Sequence, residues 1–186
     1  MRELSFVVDA IMQLVVGAFL LRLICQLVRA DFRNPFVQAI VRLTNPLIMP
    51  LRRVLPPVGR VDTASVLAVV LAQLLRTVLA ELIAFGRLGS LGVLAVVSVV
   101  QVLDMALVVL LLAVILYVVM SWVAPDRYNP ASRLLDSLVE PLLRPFRRAI
   151  PPIGGLDLSA IAVSILLVVL RMILNDRVLP ALLSLH

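Results

Sequence analysis

The chain has 186 residues, of which 62% are hydrophobic and only 15% are charged. A soluble domain averages about 25% charged residues, and the mean hydropathy of +1.13 indicates that lipid is the solvent for much of the surface. With one cysteine, Cys25, and one histidine, His186, the chain is not expected to form an internal disulfide, a thiolate or imidazole metal site, or a Ser/His/Asp or Cys/His catalytic group. No cofactor is expected either.

Four apolar stretches are long enough to cross a bilayer as helices, since each crossing needs roughly 20 residues. They cover about residues 4–28, 61–85, 102–123 and 156–174. The first is predicted to be an uncleaved helix, because it is too long for a signal peptide and contains Asp9. Residues 86–101 are interpreted as an extension of the third span or a short interfacial helix, and an extra crossing remains the alternative.

Two segments rich in proline and arginine, residues 34–62 and 129–157, repeat each other without a gap. They are called the Pro/Arg segments below, and because the first begins at Asn34 and the second at Asn129, their offset is 95 residues. The matching positions are expected to be structural. They are Asn34, Pro35, Pro46, Pro50, Pro56, Pro57, Gly59 and Asp62 in the first segment, and Asn129, Pro130, Pro141, Pro145, Pro151, Pro152, Gly154 and Asp157 in the second.

The same offset relates charges inside the apolar spans, matching Asp9 with Asp104 and Arg76 with Arg171. The chain is therefore interpreted as two units, residues 1–90 and 91–186. A unit with two crossings returns to the side on which it began, so the units are expected to be parallel rather than inverted. The predicted fold is an all-α membrane protein with about four transmembrane helices. It is a tandem parallel repeat of helix, Pro/Arg interfacial hairpin and helix.

Within each Pro/Arg segment, apolar residues alternate with prolines and arginines, which favours a position in the membrane interface. The prolines predict two short helices separated by a bend rather than one long helix. Four arginines are expected to contact lipid phosphates or a partner: Arg52, Arg53, Arg147 and Arg148. Asp62 and Asp157 precede the next span, either as helix caps or as ion-pair partners of these arginines.

The distribution of arginines predicts the orientation. All 17 basic residues are arginines, and most of them lie in or beside the two Pro/Arg segments. The positive-inside rule therefore places both segments in the cytoplasm and both termini outside. Arg22, near the inner end of the first span, is expected to extend to the cytoplasmic interface beside Arg29.

Charges inside the spans need partners, because an isolated charge at mid-bilayer costs about 2.5–3.5 kcal/mol on insertion scales. Their depths favour the ion pairs Asp9–Arg76 and Asp104–Arg171, although cross-unit pairing of Asp9 with Arg171 and of Asp104 with Arg76 is equally allowed. A bridge that positions the helices is the simpler role, and a polar lining of an ion or proton path is the alternative.

The doubled pattern of Asn-Pro, spaced prolines, Arg-Arg and Gly-x-x-Asp resembles the YggT family of small bacterial membrane proteins, also called YlmG-like. The resemblance covers nearly the whole chain as two copies of the YGGT repeat. Asn45 departs from it, because the second copy has Glu140 there and an acid looks typical of the family. The resemblance implies a multi-pass protein of the bacterial inner membrane. Family members are linked to osmotic-shock tolerance and potassium handling, and others to cell-division gene clusters, cytochrome assembly and nucleoid distribution. The resemblance brings no catalytic residue.

An enzyme is not expected, because the sequence lacks a nucleophile–base pair and a phosphate-binding loop. The favoured function is a membrane scaffold or assembly factor in envelope processes or osmotic-stress tolerance. Its expected partners are anionic lipids of the inner leaflet and an unidentified membrane protein, with a homo-oligomer as a further option. The alternative is a potassium channel or transporter component that uses the intramembrane Asp/Arg pairs. Nucleic acid is disfavoured, because apolar residues separate the arginines.

Overall fold

The computed structural model describes residues 2–57, 61–123, 129–149 and 157–184. The helices are α1 (Arg2–Leu27), α2 (Pro35–Val54), α3 (Thr63–Phe85), α4 (Leu91–Val123), α5 (Pro130–Ala149), α6 (Leu158–Ile173) and α7 (Leu179–Leu183), with a π-helical turn at Leu174–Val178 before α7. Four of the repeated positions lie outside the described residues: Gly59, Pro151, Pro152 and Gly154.

Four helical stretches are long and apolar enough to cross a membrane: Ser5–Leu27, Thr63–Phe85, Leu91–Val123 and Leu158–Leu182. They confirm the prediction of an all-α chain with four spans. From Leu91 onward, the stretch 86–101 joins the third span, so α4 is a single helix of 33 residues. At about 1.5 Å per residue this is roughly 50 Å, longer than the hydrocarbon core of about 30 Å, so α4 must tilt or protrude.

The connector helices α2 and α5 correct the prediction that prolines divide each Pro/Arg segment into two short helices. Each is one helix of 20 residues with two internal prolines, Pro46 and Pro50 in α2 and Pro141 and Pro145 in α5. All four prolines are exposed. A proline leaves the carbonyl four residues earlier without its helical donor. In α2 these carbonyls belong to Arg42 and Pro46, which are both exposed, so polar surroundings can satisfy them.

The two units pack in the same way. In each unit the two spans pack together, α1 with α3 and α4 with α6, and the connector helix packs against both. The units meet where α3 lies along α4 and where α2 contacts α5. The side-chain amide of Asn34 donates to the Pro130 carbonyl at 2.6 Å, while its oxygen accepts from the Phe36 amide and caps α2. Both connector helices therefore lie at the same end of the bundle.

The apolar core is concentrated at the end of the bundle that carries the connector helices. Ile48 of α2 and Val139 and Leu143 of α5 are all 0% exposed. They pack in one cluster with buried Ala64 of α3 and Ala160 of α6. Alanines at these contacts allow the helix backbones to approach closely, as is common between membrane helices.

The position of Arg22 contradicts the prediction that its side chain extends to the cytoplasmic interface. The residue is only 3% exposed, and its Nη1 donates to Thr44 Oγ1 at 2.7 Å, to Asn45 Oδ1 at 2.8 Å and to the Val41 carbonyl at 3.3 Å. The prediction was wrong because α2 covers this part of α1. Arg22 thus joins the first connector helix to the first span.

The packing of α2 predicts different effects at two neighbouring positions. Ile48→Ala should destabilise the protein by about 2–5 kcal/mol, because it leaves a cavity in the core. Leu47→Ala removes a side chain that is 60% exposed and should cost well under about 1 kcal/mol. Equilibrium unfolding in mixed micelles measures both. Equal losses would show that α2 does not pack as described.

Candidate functional site

Each Pro/Arg segment is closed by an ion pair between residues ten positions apart, and these are called the closing pairs below. Arg52 donates to Asp62 Oδ2 from Nε at 3.0 Å and from Nη2 at 2.5 Å. In the second segment Arg147 donates from Nε to Asp157 Oδ2 at 2.8 Å. The closing pairs connect the last turn of each connector helix to the start of the following span.

The two aspartates differ in their other partners. Asp62 also accepts from Ser65 Oγ at 2.7 Å and from Gln26 Nε2 at 3.3 Å, but it accepts no backbone N–H of α3 as a cap. Asp157 caps α6 by accepting from the Ser159 amide at 3.0 Å. The second segment therefore combines the two roles that the sequence left open, whereas the donors to Asp62 within the described residues are all side chains.

These contacts shift the pKa values of the two carboxyl groups in the closing pairs. Burial alone would raise the pKa of Asp62, but hydrogen bonds from Arg52, Ser65 and Gln26 outweigh it and lower the pKa to about 2. The pKa of Asp157 is also lowered, since the bonds from Ser159 and Arg147 outweigh the effect of burial. Both carboxylates are consequently ionised at neutral pH, which keeps the closing pairs intact.

Arg147 has two further partners in the part of the chain that the structure describes. It donates to Glu140 Oε2 at 2.6 Å and to the Tyr117 hydroxyl at 2.9 Å. Burial lowers the pKa of Arg147, but the bonds to Asp157 and Tyr117 outweigh it and raise the pKa overall. Tyr117 stands 95 residues after Arg22, so the same repeat position supplies a cation in one unit and a hydroxyl in the other.

The four arginines expected to contact lipid or a partner fall into two groups. Arg52 and Arg147 form the closing pairs, with side chains that are 39% and 34% exposed. Arg53 and Arg148 are exposed and make no hydrogen bond or ion pair within the described ranges of the chain. Among the described residues, therefore, the guanidinium groups of Arg53 and Arg148 are the ones left open to a ligand.

At the opposite end of the bundle, two ion pairs lie within the spans. Arg76 donates to Asp9 from Nε at 2.8 Å and from Nη2 at 3.1 Å. Arg171 donates to Asp104 in the same way, at 2.9 and 3.3 Å. Two parallel bonds are the strong geometry of an arginine–carboxylate pair. The structure thus shows pairing within each unit, not across units.

Each intramembrane pair has an amide neighbour, and the two neighbours come from different repeat positions. Gln13 Oε1 accepts from Arg76 Nη2 at 3.4 Å, and Asn175 Nδ2 donates to Asp104 Oδ1 at 2.8 Å. Sequence reasoning missed Asn175, although it follows Arg171 by four residues and so shares its helix face. Asn175 lies in the π-helical turn, which Pro180 favours because it has no N–H and crowds the preceding turn.

Both intramembrane pairs line one cavity of about 530 Å³ between the two units, called the inter-unit cavity below. Thr77 and Gln101 add polar groups to its wall. Gln101 Oε1 accepts from Gln73 Nε2 at 2.6 Å and from Thr77 Oγ1 at 2.9 Å. Nearer the connector helices, the spans carry buried apolar residues: Val16, Val69, Ala113, Val114 and Leu167. This apolar layer separates the cavity from the Pro/Arg segments.

The described residues contain no group of three or more His, Cys, Asp or Glu side chains placed to hold a metal. Cys25 is a free, buried thiol. The chemistry that these residues offer is charge pairing and hydrogen bonding at the two ends of the bundle.

The family model described as CCB3/YggT matches residues 1–83 and again residues 96–178. An uncharacterized protein of Pseudomonas aeruginosa is 44% identical over 143 residues, which cover 76% of this chain and 73% of the relative. The uncharacterized protein YggT of Escherichia coli K12 is 35% identical over 173 residues, covering 92% of this chain and 89% of the relative. An uncharacterized protein of Vibrio alginolyticus is 35% identical over 97% of both chains. No solved structure matches the chain.

The intramembrane pairs predict a characteristic double-mutant result. Asp9→Asn leaves Arg76 without its counter-charge and should lower the free energy of unfolding by up to about 3 kcal/mol, as should Arg76→Leu. The double variant should be milder than the worse single variant, because it leaves no uncompensated charge. Unfolding in mixed micelles measures all three. A double variant at least as unstable as the worse single variant would show that the pair contributes no coupling.

Proposed function

The chain belongs to the CCB3/YggT family, and from this premise we propose that it is an integral scaffold or assembly factor of the bacterial inner membrane. It acts through the two Pro/Arg segments on the cytoplasmic side, in envelope processes or osmotic-stress tolerance. The observation that supports this most directly is the division of the arginines. Arg52 and Arg147 fix the segments to the bundle, whereas Arg53 and Arg148 are exposed beside them and have no ion-pair partner among the residues that the structure describes.

The outer face of α2 is suited to a lipid surface. Phe36, Leu43 and Leu47 are 50%, 72% and 60% exposed on one side of the helix, and Arg42 and Arg53 are exposed close by. A helix of this kind can place its apolar side among acyl chains and its guanidinium groups among lipid phosphates. Anionic lipid is therefore the proposed ligand of the first Pro/Arg segment.

The second connector helix presents a more polar surface. Leu138, the counterpart of Leu43, is only 4% exposed, while Glu140, Arg144 and Arg148 are exposed. A helix with exposed charges of both signs is suited to a protein partner rather than to the acyl layer. We propose that α5 contacts the protein partner, while α2 contacts lipid.

Replacing the two groups of arginines separately tests this proposal. Arg53→Gln with Arg148→Gln should lose anionic lipid and the specific partner in a pull-down from mild detergent, with unchanged thermal stability. Arg52→Gln with Arg147→Gln should lower stability, because Asp62 and Asp157 lose their counter-charges. Native mass spectrometry measures retained lipid in both variants.

The matched control is Arg87→Gln with Arg177→Gln, which removes two exposed arginines from the other end of the bundle. It should keep both lipid and partner. The proposal fails if the Arg53/Arg148 variant retains the same lipids and partner as the unmodified protein.

A potassium channel or transporter component is the second candidate, favoured by the two intramembrane pairs that line one cavity. The apolar layer beneath the cavity means that conduction would need an oligomer or a different arrangement of the spans. Potassium release from proteoliposomes tests it, and Asp104→Asn should change the rate at least severalfold if the pairs line the path. An absence of flux at every salt concentration would remove this candidate.

A further inference from the structure

We propose that the inter-unit cavity binds a zwitterionic group, namely a primary ammonium joined by a short linker to a phosphate or carboxylate. The site lies at the opposite end of the bundle from the Pro/Arg segments and goes beyond the proposed scaffold function. It is formed by the ion pairs Asp9–Arg76 and Asp104–Arg171 together with the side chains between them.

The charge balance of the cavity favours a zwitterion over a single ion. Two guanidinium groups and two carboxylates line it, so their formal charges cancel. A lone cation would be attracted by each carboxylate and repelled by the arginine paired to it. A lone anion would be attracted by each arginine and repelled by its carboxylate. A ligand with both signs can place its anionic end on one arginine and its ammonium on an aspartate, so no net charge is buried.

Both pairs retain unused hydrogen-bonding groups. Arg76 and Arg171 use Nε and Nη2 for their bonds, and neither Nη1 has an acceptor in the described part of the chain. The side chains of Asp9 and Asp104 are 44% and 23% exposed, and a carboxylate has about four acceptor positions. The pairs can therefore receive a ligand without being separated.

The size and position of the cavity suit a small polar group. Its volume of about 530 Å³ lies within the range of about 300–1,000 Å³ that is usual for ligand pockets. Arg76 lies nine residues before the end of α3 at Phe85, or about 13 Å along the helix. A lipid headgroup or a soluble zwitterion can reach that depth from the membrane face nearest to Phe85. The neighbouring apolar residues, such as Val108 and Leu179, are suited to the carbon skeleton of the ligand.

The π-helical turn gives separate support. It places Asn175 against Asp104 while the same amide also donates to the Arg171 carbonyl at 3.0 Å. Single π-helical turns in otherwise regular helices occur frequently at functional sites. The counterpart of Asn175 in the first unit is Ala80, so the second unit alone supplies an amide to the cavity from this repeat position.

Two sources can supply the ligand, phosphatidylethanolamine in the membrane and a soluble zwitterion such as phosphoethanolamine. Native mass spectrometry of the purified protein should show phosphatidylethanolamine bound roughly tenfold more tightly than phosphatidylcholine or phosphatidylglycerol with the same acyl chains. The reason is that only a primary ammonium donates hydrogen bonds to the aspartates while its phosphate meets an arginine. Displacement by phosphoethanolamine would identify a headgroup site that also accepts the soluble compound, and no displacement would identify the intact lipid.

Variants connect this binding to the cavity. Asp104→Asn should weaken binding roughly tenfold, the loss expected for one charge-assisted hydrogen bond, whereas the matched control Asp176→Asn changes an exposed carboxylate nearby and should bind as the unmodified protein does. Ala80→Phe removes no charge but fills the cavity, so it should abolish binding. It tests whether the ligand occupies the cavity even if Asp104→Asn fails to fold. The proposal is overturned if the three lipids bind equally, or if Ala80→Phe binds like the unmodified protein.

Discussion

The ion pair that closes each Pro/Arg segment is the interaction on which the rest of the architecture depends. It ties the last turn of a connector helix to the first residues of the next span, at Asp62 in one unit and at Asp157 in the other. Without it, the last turn of a connector helix with two internal prolines would be held to the following span mainly by apolar contacts, which do not fix its direction as closely. With it, the chain turns back at a fixed place, and each unit ends on the side of the membrane where it started.

Duplication of this unit produces two ends with different properties. At the connector end, repeat positions have diverged: Arg22 corresponds to Tyr117, and Asn45 to Glu140. The first unit therefore buries a cation against α2, whereas the second places two acidic partners around Arg147. At the other end the ion pairs are equivalent, but their surroundings differ, and a polar cavity lies between the two units.

Much of this arrangement could be predicted from the sequence, because a repeat without gaps shows which residues of the two units are equivalent. The offset matched Asp9 with Asp104 and Arg76 with Arg171. Depth along the helices favoured pairing within each unit but left cross-unit pairing open, and the structure shows pairing within each unit. The continuity of α2 could not be read in the same way, since it depends on whether the carbonyls left by prolines are exposed. The burial of Arg22 and the role of Asn175 were missed for a related reason: both depend on how helices pack against one another, which a single sequence does not specify.

The parallel arrangement of the two units is tested by mapping which membrane face each end of the bundle occupies. Single cysteines are introduced at positions 53, 148, 87 and 177 and labelled in intact cells with a reagent that does not cross the inner membrane. Cys25 is 1% exposed and should not interfere. We expect positions 87 and 177 to react in intact cells and positions 53 and 148 to react only after the membrane is opened. Reaction of 53 and 148 from opposite faces would contradict the parallel repeat.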